Sequence, residues 1–366
     1  MEEFYTLNKE QSLHGKWITI DAILPLLDRF RSIYKIEEIG ISYQNNPIHT
    51  ITLGKGSVKI LLWTQMHGNE STATKVVFDL LNLFNATNCP DFGHKILNNC
   101  TLKIIPILNP DGAKAYTRFN AQQIDLNRDA VDLRAPESRL LRKTLSEFKP
   151  DFCFNLHDQR NIYSVGETKQ PATISFLSPA TEVTRRLTVS RIKAMSVISA
   201  MHDTIKADIP NNISRYSDEF YPNATGDNFQ KEGYCTILIE AGHYPNDYDR
   251  EQVRYYYFKA LLSGLEAISE GVNDNVSLYE SIPQNAANYL DYIYTNVNLK
   301  QADNSYKIIS VGILLIETIE NGKFVRNPTV EVMGNLSKYG ANTIIDAKGI
   351  IINSKNKLLA LLFKNN

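Results

Sequence analysis

Apolar positions along this chain follow two rhythms. Short, nearly continuous runs rich in Val, Ile, Leu and Phe predict strands over Val58–Met66, Thr101–Leu108, Asp151–Leu156, Ala172–Leu177 and Cys235–Ile239. Longer stretches between them repeat an apolar residue every three or four positions. Ser71–Phe84 carries Val76, Val77, Leu80, Leu81 and Phe84 at that spacing, Pro136–Phe148 opens with proline at a first helical position, and Asp21–Tyr34 aligns Ile23, Leu26, Leu27 and Phe30. Thr181–Ala207 and Asp247–Glu270 are further predicted helices. Strands alternating with helices predict an α/β fold, with a mixed, mostly parallel central sheet and helices on both faces. Two stretches fit neither rhythm: Asn109–Asp132, rich in Asn, Asp and Arg, and Ile209–Gly233, rich in Asn, Tyr and Gly. Loops of that length usually carry function or disorder.

Around Gly271–Pro283 the pattern turns polar, and the chain beyond it differs in kind. A helix-like stretch, Gln284–Tyr294, precedes alternating short strands that include Tyr306–Ile316 and Lys348–Ile352. This predicts a large domain over 1–275 and a small β-rich C-terminal domain over 285–366, the latter without histidine or cysteine and so with packing or interaction as its expected role.

Composition narrows the function classes. With 39 Lys and Arg against 40 Asp and Glu, the formal charge of −1 provides no global attraction to nucleic acid or an anionic membrane. No run approaches the roughly 20 apolar residues of a membrane span, and the acidic start Met1-Glu2-Glu3 lacks a signal-type apolar stretch, so the expectation is a cytoplasmic protein with no membrane partner. Cys89, Cys100, Cys153 and Cys235 show no paired-ligand spacing, and Cys153 and Cys235 sit in apolar runs as buried free thiols would.

The candidate chemistry sits where apolar runs stop. His67-Gly68-Asn69-Glu70 follows the first of the predicted strands, and Gly68 permits a sharp turn that would bring His67 and Glu70 to one point at the sheet's carboxyl edge, where open α/β folds bind ligands. The spacing alone is weak: with seven histidines and 40 acids in 366 residues, about one such pair arises by chance. His157 ends another run and Glu240 a third. A lone histidine at a strand end is ordinarily just hydrogen-bonded, but three strands delivering two imidazoles and two carboxylates to one edge match a hydrolytic metal set plus a base. Asn109-Pro110-Asp111-Gly112 is a strong turn, and the polar loop beyond it contains Arg118, Asn127 and Arg128. Its bland reading is a solvated surface; its functional reading is a fork for a substrate carboxylate.

In order and spacing, His67-Gly68-Asn69-Glu70, Asn109-Pro110-Asp111-Gly112, Thr117-Arg118-Phe119-Asn120, Asp125-Leu126-Asn127-Arg128, Asn155-Leu156-His157 and Leu238-Ile239-Glu240 resemble the zinc carboxypeptidase family over roughly residues 35–265. The resemblance implies that fold, with one Zn2+ held by His67, Glu70 and His157. It further implies Glu240 as general base, Arg118 on the scissile carbonyl, and Asn127 with Arg128 on the substrate carboxylate. The family's mobile tyrosine corresponds to Tyr221, with Tyr216 as competitor, although either ring could simply pack. The implied substrate is a peptide, or an acyl-amino acid, with a free carboxylate. Asn69 stands where the family's digestive enzymes have arginine, and His-Gly-Asn-Glu is also similar to the aspartoacylase and succinylglutamate desuccinylase group. An N-acyl-amino-acid amidohydrolase and a non-catalytic carboxylate-binding module are therefore the alternatives.

Overall fold

The computed structural model describes residues 2–272 and 276–353. The strands in chain order are β1 (Lys35–Ile41), β2 (Pro47–Gly54), β3 (Val58–Trp63), β4 (Cys100–Ile105), β5 (Phe152–Asp158), β6 (Tyr163–Val165), β7 (Ile174–Leu177), β8 (Ile213–Arg215), β9 (Cys235–Ala241), β10 (Asn285–Ala287), β11 (Tyr289–Lys300), β12 (Tyr306–Glu320), β13 (Lys323–Gly334), β14 (Gly340–Asp346) and β15 (Ile351–Ile352). The helices are α1 (Glu2–Asn8), α2 (Ile20–Phe30), α3 (Thr72–Asn85), α4 (Asp91–Asn99), α5 (Pro110–Ala115), α6 (Pro136–Phe148), α7 (Val189–Ile205), α8 (Thr225–Lys231), α9 (Glu251–Glu270) and α10 (Ser277–Ser281).

Eight strands form one sheet in the order β1-β2-β4-β3-β5-β9-β7-β8. Its centre, β4-β3-β5-β9, is parallel, whereas β1, β2 and the β9–β7 pair are antiparallel, so the sheet is mixed as expected. Both faces are covered. Ile60 and Leu62 of β3 face one core with α2, α3, α7 and α9, while Leu61 and Trp63 face a second core with α6 and Phe229 of α8. Side chains alternate across a strand, so a strand buried on both faces needs apolar residues at successive positions, and this explains the continuous runs.

Several boundaries move for local reasons. The helix expected from Thr181 begins at Val189, where the Thr188 hydroxyl caps the chain by accepting the Arg191 N–H. The one expected from Asp247 begins at Glu251, because the Asp247 carboxylate accepts the N–H groups of Glu251, Gln252 and Val253. The expected loop at 209–233 contains β8 and α8.

One element is the wrong type. Gln284–Tyr294, expected as helix-like, forms β10 and the start of β11. β11 is an inner strand of a five-stranded sheet, antiparallel to β12 and parallel to β14 and β15. Because Leu290, Ile293 and Tyr294 are all buried, their three- and four-residue spacing imitates a helical stripe. The expected Tyr306–Ile316 strand extends to Glu320, and the expected Lys348–Ile352 strand shrinks to Ile351–Ile352. Of the expected domain limits, residues 273–275 and 354–366 lie outside the described residues. Glu317 of β12 contacts the N-terminal region directly, pairing with Lys16 and accepting from the Tyr116 hydroxyl at 2.8 Å. All four cysteines are buried and free, and no helix among the described residues is long and apolar enough to cross a membrane.

Under the sheet, Asp79 of α3 and Arg254 of α9 form a fully buried bidentate pair at 2.5 and 2.7 Å. Removing one partner leaves a charge unpaired in the core, so Asp79→Ala is expected to lower stability by about 3–5 kcal/mol in urea unfolding, and Asp79→Leu combined with Arg254→Met to recover only part of that loss, because the Glu10 N–H and the Glu10 and Leu13 carbonyls lose their partners.

Candidate metal centre

The corner after β3 is built by backbone constraint. Gly68 lies so close to Gly112 that a Cβ would sit 1.9 Å from its carbonyl carbon, so only glycine fits. The Asn109 amide clamps the corner, donating to Met66 O at 3.2 Å while its oxygen accepts the Gly112 N–H at 2.9 Å. Asp111 ties in the β1–β2 turn through Ser42, Gln44 and Asn46. The Asn-Pro-Asp-Gly motif therefore shapes the edge of the site rather than facing it.

His67 and Glu70 extend from that corner, and His157 extends from β5. His67 Nδ1 lies 2.8 Å from one Glu70 oxygen and His157 Nδ1 lies 2.7 Å from the other. The three groups offer ligand atoms all within 4.8 Å of one another, and all three residues are buried. Register explains Glu240: His157 on β5 pairs with Glu240 on the parallel strand β9, which places both side chains on the same face at the carboxyl edge. The Glu240 Oε2 atom is buried and has no partner among the described residues.

Two neutral imidazoles and a carboxylate suit a zinc ion of open coordination, and the outer contacts fit it too. Asp125 Oδ1 sits 3.1 Å from His67 Nε2, an orientation that turns Nδ1 toward Glu70, where a metal would be held. In the sequence Asp125 stands inside a motif with no role of its own. The only local signal is its position two residues ahead of Asn127, whose N–H its side chain caps at 2.9 Å.

Charges in the site act on each other. Burial alone would lower His67, but the Glu70 carboxylate and the hydrogen bonds to Asp125 and Glu70 bring it above its ordinary value. For His157 burial prevails, and the ring is shifted down. Burial would raise Asp125, yet His67 and Arg118 hold it well below the carboxylate range. Glu240 is pushed well up by burial and by the nearby carboxylates of Glu70 and Asp158.

The remaining candidates surround two cavities. Arg118 donates to Asp125 at 3.0 Å, lies 3.6 Å from Glu70 and lines both cavities. One cavity, of about 260 Å³, is lined by His67, Asn127, Arg128, Tyr216, Tyr221 and Glu240 among others. Asn127 is oriented by the Thr225 N–H at 3.1 Å, and Arg128 has no carboxylate partner among the described residues. Tyr216 and Tyr221 both reach this cavity. Tyr216 meets Tyr163 edge-to-face with ring centroids 5.4 Å apart, whereas Tyr221 is half exposed, with its ring under the Arg128 guanidinium and its hydroxyl 2.9 Å from Glu219. The second cavity, of about 330 Å³, lies on the Glu70 side and is walled partly by β12.

The family model for zinc carboxypeptidases (peptidase M14) matches residues 20–300. Probable carboxypeptidase 2 of Arthroderma benhamiae is 28% identical over 117 residues, covering 31% of this chain and 21% of that protein. Carboxypeptidase SOL1 of Arabidopsis thaliana is 31% identical over 103 residues, 25% of this chain and 21% of its own length. The chain thus spans about a fifth of the length of the curated relatives it matches. The structure of a metallo-carboxypeptidase from Burkholderia cenocepacia aligns with a TM-score of 0.56 at 17% identity over 69% of each chain. Carboxypeptidase A from Helicoverpa armigera aligns at 0.55 with 16% identity, over 69% of this chain and 73% of that one. At these identities the structures share the fold.

From the site geometry, His67→Ala is expected to abolish zinc uptake, and Asp125→Asn to weaken zinc affinity about 10- to 100-fold while leaving the fold intact, both read by chelator competition.

Proposed function

This chain belongs to the zinc carboxypeptidase family, and from that premise we propose that it hydrolyses the last peptide bond of a peptide and releases its C-terminal residue. The observation that carries the reading is a cavity lined by His67 of the His67–Glu70–His157 ligand set, by Glu240 in register with His157, and by Arg128, which has no carboxylate partner among the described residues. One Zn2+ held by those three ligands would supply a Lewis acid and bring a water's pKa toward ~7.

The chain's own residues do the rest. Arg128 grips the terminal carboxylate in a two-bond fork, and Asn127, its oxygen already held by Thr225, turns its amide N–H toward the same group. Arg118, shared by both cavities, donates to the scissile carbonyl oxygen as negative charge develops there. Glu240 takes the proton of the attacking water and returns it to the leaving amine nitrogen. Tyr221 at the rim covers the bound residue, while Tyr216 packs deeper in the wall. Leu177 and Leu238 line the same cavity with Glu219 and Asp227, so the preference for the released residue is set among an apolar wall and two acids besides Glu240. The division into a catalytic unit over 1–275 and a β-rich unit over 285–366 belongs to the same proposal.

A module that only binds carboxylates would need no Glu240. An acyl-amino-acid amidohydrolase would use the same catalytic set, but the cavity on the Glu70 side leaves room for more than a small acyl group.

The test is release of a C-terminal amino acid from a peptide library, with and without chelator. Chelator-sensitive release is expected, and activity on acyl-amino acids alone would overturn the reading. Glu240→Gln should retain zinc and lose about 10²–10⁴ in kcat, and Arg118→Ala about 10²–10³. Arg128→Ala should raise KM and erase the discrimination between free-acid and C-terminally amidated peptides.

A further inference from the structure

The wall of the cavity on the Glu70 side is a strand with an open edge. β12 pairs with β11 only as far as Tyr292 opposite Ile313, and beyond that point it is held by β13 alone. The β12–β13 hairpin turns through Asn321 and Gly322, both at positive φ, as a two-residue turn requires. The closing pair Glu320–Lys323 is therefore hydrogen-bonded, and pairs alternate from there, so Thr318, Ile316 and Leu314 bond to β13 while Glu317 and Leu315 point their backbone groups the other way. Two observations agree with this alternation. The residue opposite Leu315 is Pro328, which has no N–H to give, and the Leu315 N–H goes instead to the Asp291 carboxylate at 2.7 Å. No strand among the described residues pairs with Leu315 or Glu317 on the side away from β13.

The residues that carry this open edge line a cavity beside the site. Leu314–Glu317 line one side of the cavity of about 330 Å³, and Asn69, Glu70 and Arg118 line another. The strand is anchored there, since the Glu317 side chain is engaged by Lys16 and Tyr116, and Arg326 of β13 pairs with Asp249 at 2.6 Å. Given the proposed function, on which this step rests, the released residue occupies the cavity with Asn127 and Arg128. The segment upstream of the scissile bond then leaves past Arg118 into the cavity walled by β12.

We infer that the open edge of β12 at Leu315 and Glu317 binds that upstream segment as an added strand, so the C-terminal sheet is part of the substrate cleft and the substrate is an extended peptide read through its backbone. Recognition then depends on every second amide of the substrate, because only alternate residues of a strand turn their N–H toward one neighbour.

The test is a set of pentapeptides with one common C-terminal residue, each N-methylated at a single amide upstream of the scissile bond, assayed with the zinc-loaded full chain. The expected result is loss of about tenfold in kcat/KM at alternate amides and little loss at those between, with an N-acetylated single amino acid cleaved at least about tenfold less well than the parent. Equal losses at neighbouring amides, or none at any, with the parent still cleaved would overturn the edge-binding inference and leave the carboxypeptidase reading standing. Failure to cleave the unmethylated parent would overturn the functional reading, and this inference with it.

Discussion

The site depends on one buried carboxylate. Glu70 is 8% exposed, and a charge taken so far out of water is costly unless it is paired. Its two oxygens face His67 and His157 at 2.8 and 2.7 Å, and the backbone N–H of Asp158 donates to one of them at 3.2 Å. Each of these partners comes from a different constraint. His67 is presented by a corner that only glycine at 68 allows, and His157 and Asp158 by the last residues of a central parallel strand. A slip of one residue in the β5–β9 register would turn Glu240 to the opposite face from His157, so the sheet's register and the chemistry at its edge are one requirement.

Much of this is legible in the sequence because the determining forces are local. Strands buried on both faces announce themselves as continuous apolar runs, and their ends locate the sheet edge without any knowledge of the partner strands. The Gly68 corner and the Asn109 turn are likewise local chemistry. The features that stay hidden depend on long-range pairing. β1 has no buried position, and β2, although largely buried, places His49, Thr50 and Thr52 among its apolar residues, so neither strand of the hairpin stands out as an apolar run. β11 reads as a helix because its burial on both faces erases the alternation that marks a strand. Asp125 shows no role of its own because its partner, His67, is 58 residues away.

The junction with the C-terminal sheet follows a similar electrostatic logic. Burial works against the charge on Glu317, yet Lys16, Arg250 and the Tyr116 hydroxyl hold its carboxyl down at about 2. Buried ion pairs add little net stability compared with apolar packing of the same volume, but leaving one half unpaired is expensive. Their consequence here is geometric: they penalise any arrangement in which β12 sits elsewhere against the N-terminal region. An edge strand left open is ordinarily an aggregation liability. This one is turned inward onto a cavity, and its first N–H is already taken by Asp291.

The two imidazoles are held in different ways, and the difference bears on how the centre works. His67 is fixed by a side chain, with Asp125 on its second nitrogen, and Asp125 is itself held by Arg118 and the Asn127 N–H. His157 has no partner on Nε2 among the described residues, and its orientation comes from strand geometry and close packing. Asp125 therefore ties a ligand-bearing ring to Arg118, and through the cap on Asn127 to the segment that carries Arg128. The group proposed to hold the metal, the group proposed to polarise the carbonyl and the fork proposed for the carboxylate share one carboxylate as their common anchor. A displacement at any of them is transmitted to the others through hydrogen bonds of about 3 Å rather than through the backbone alone.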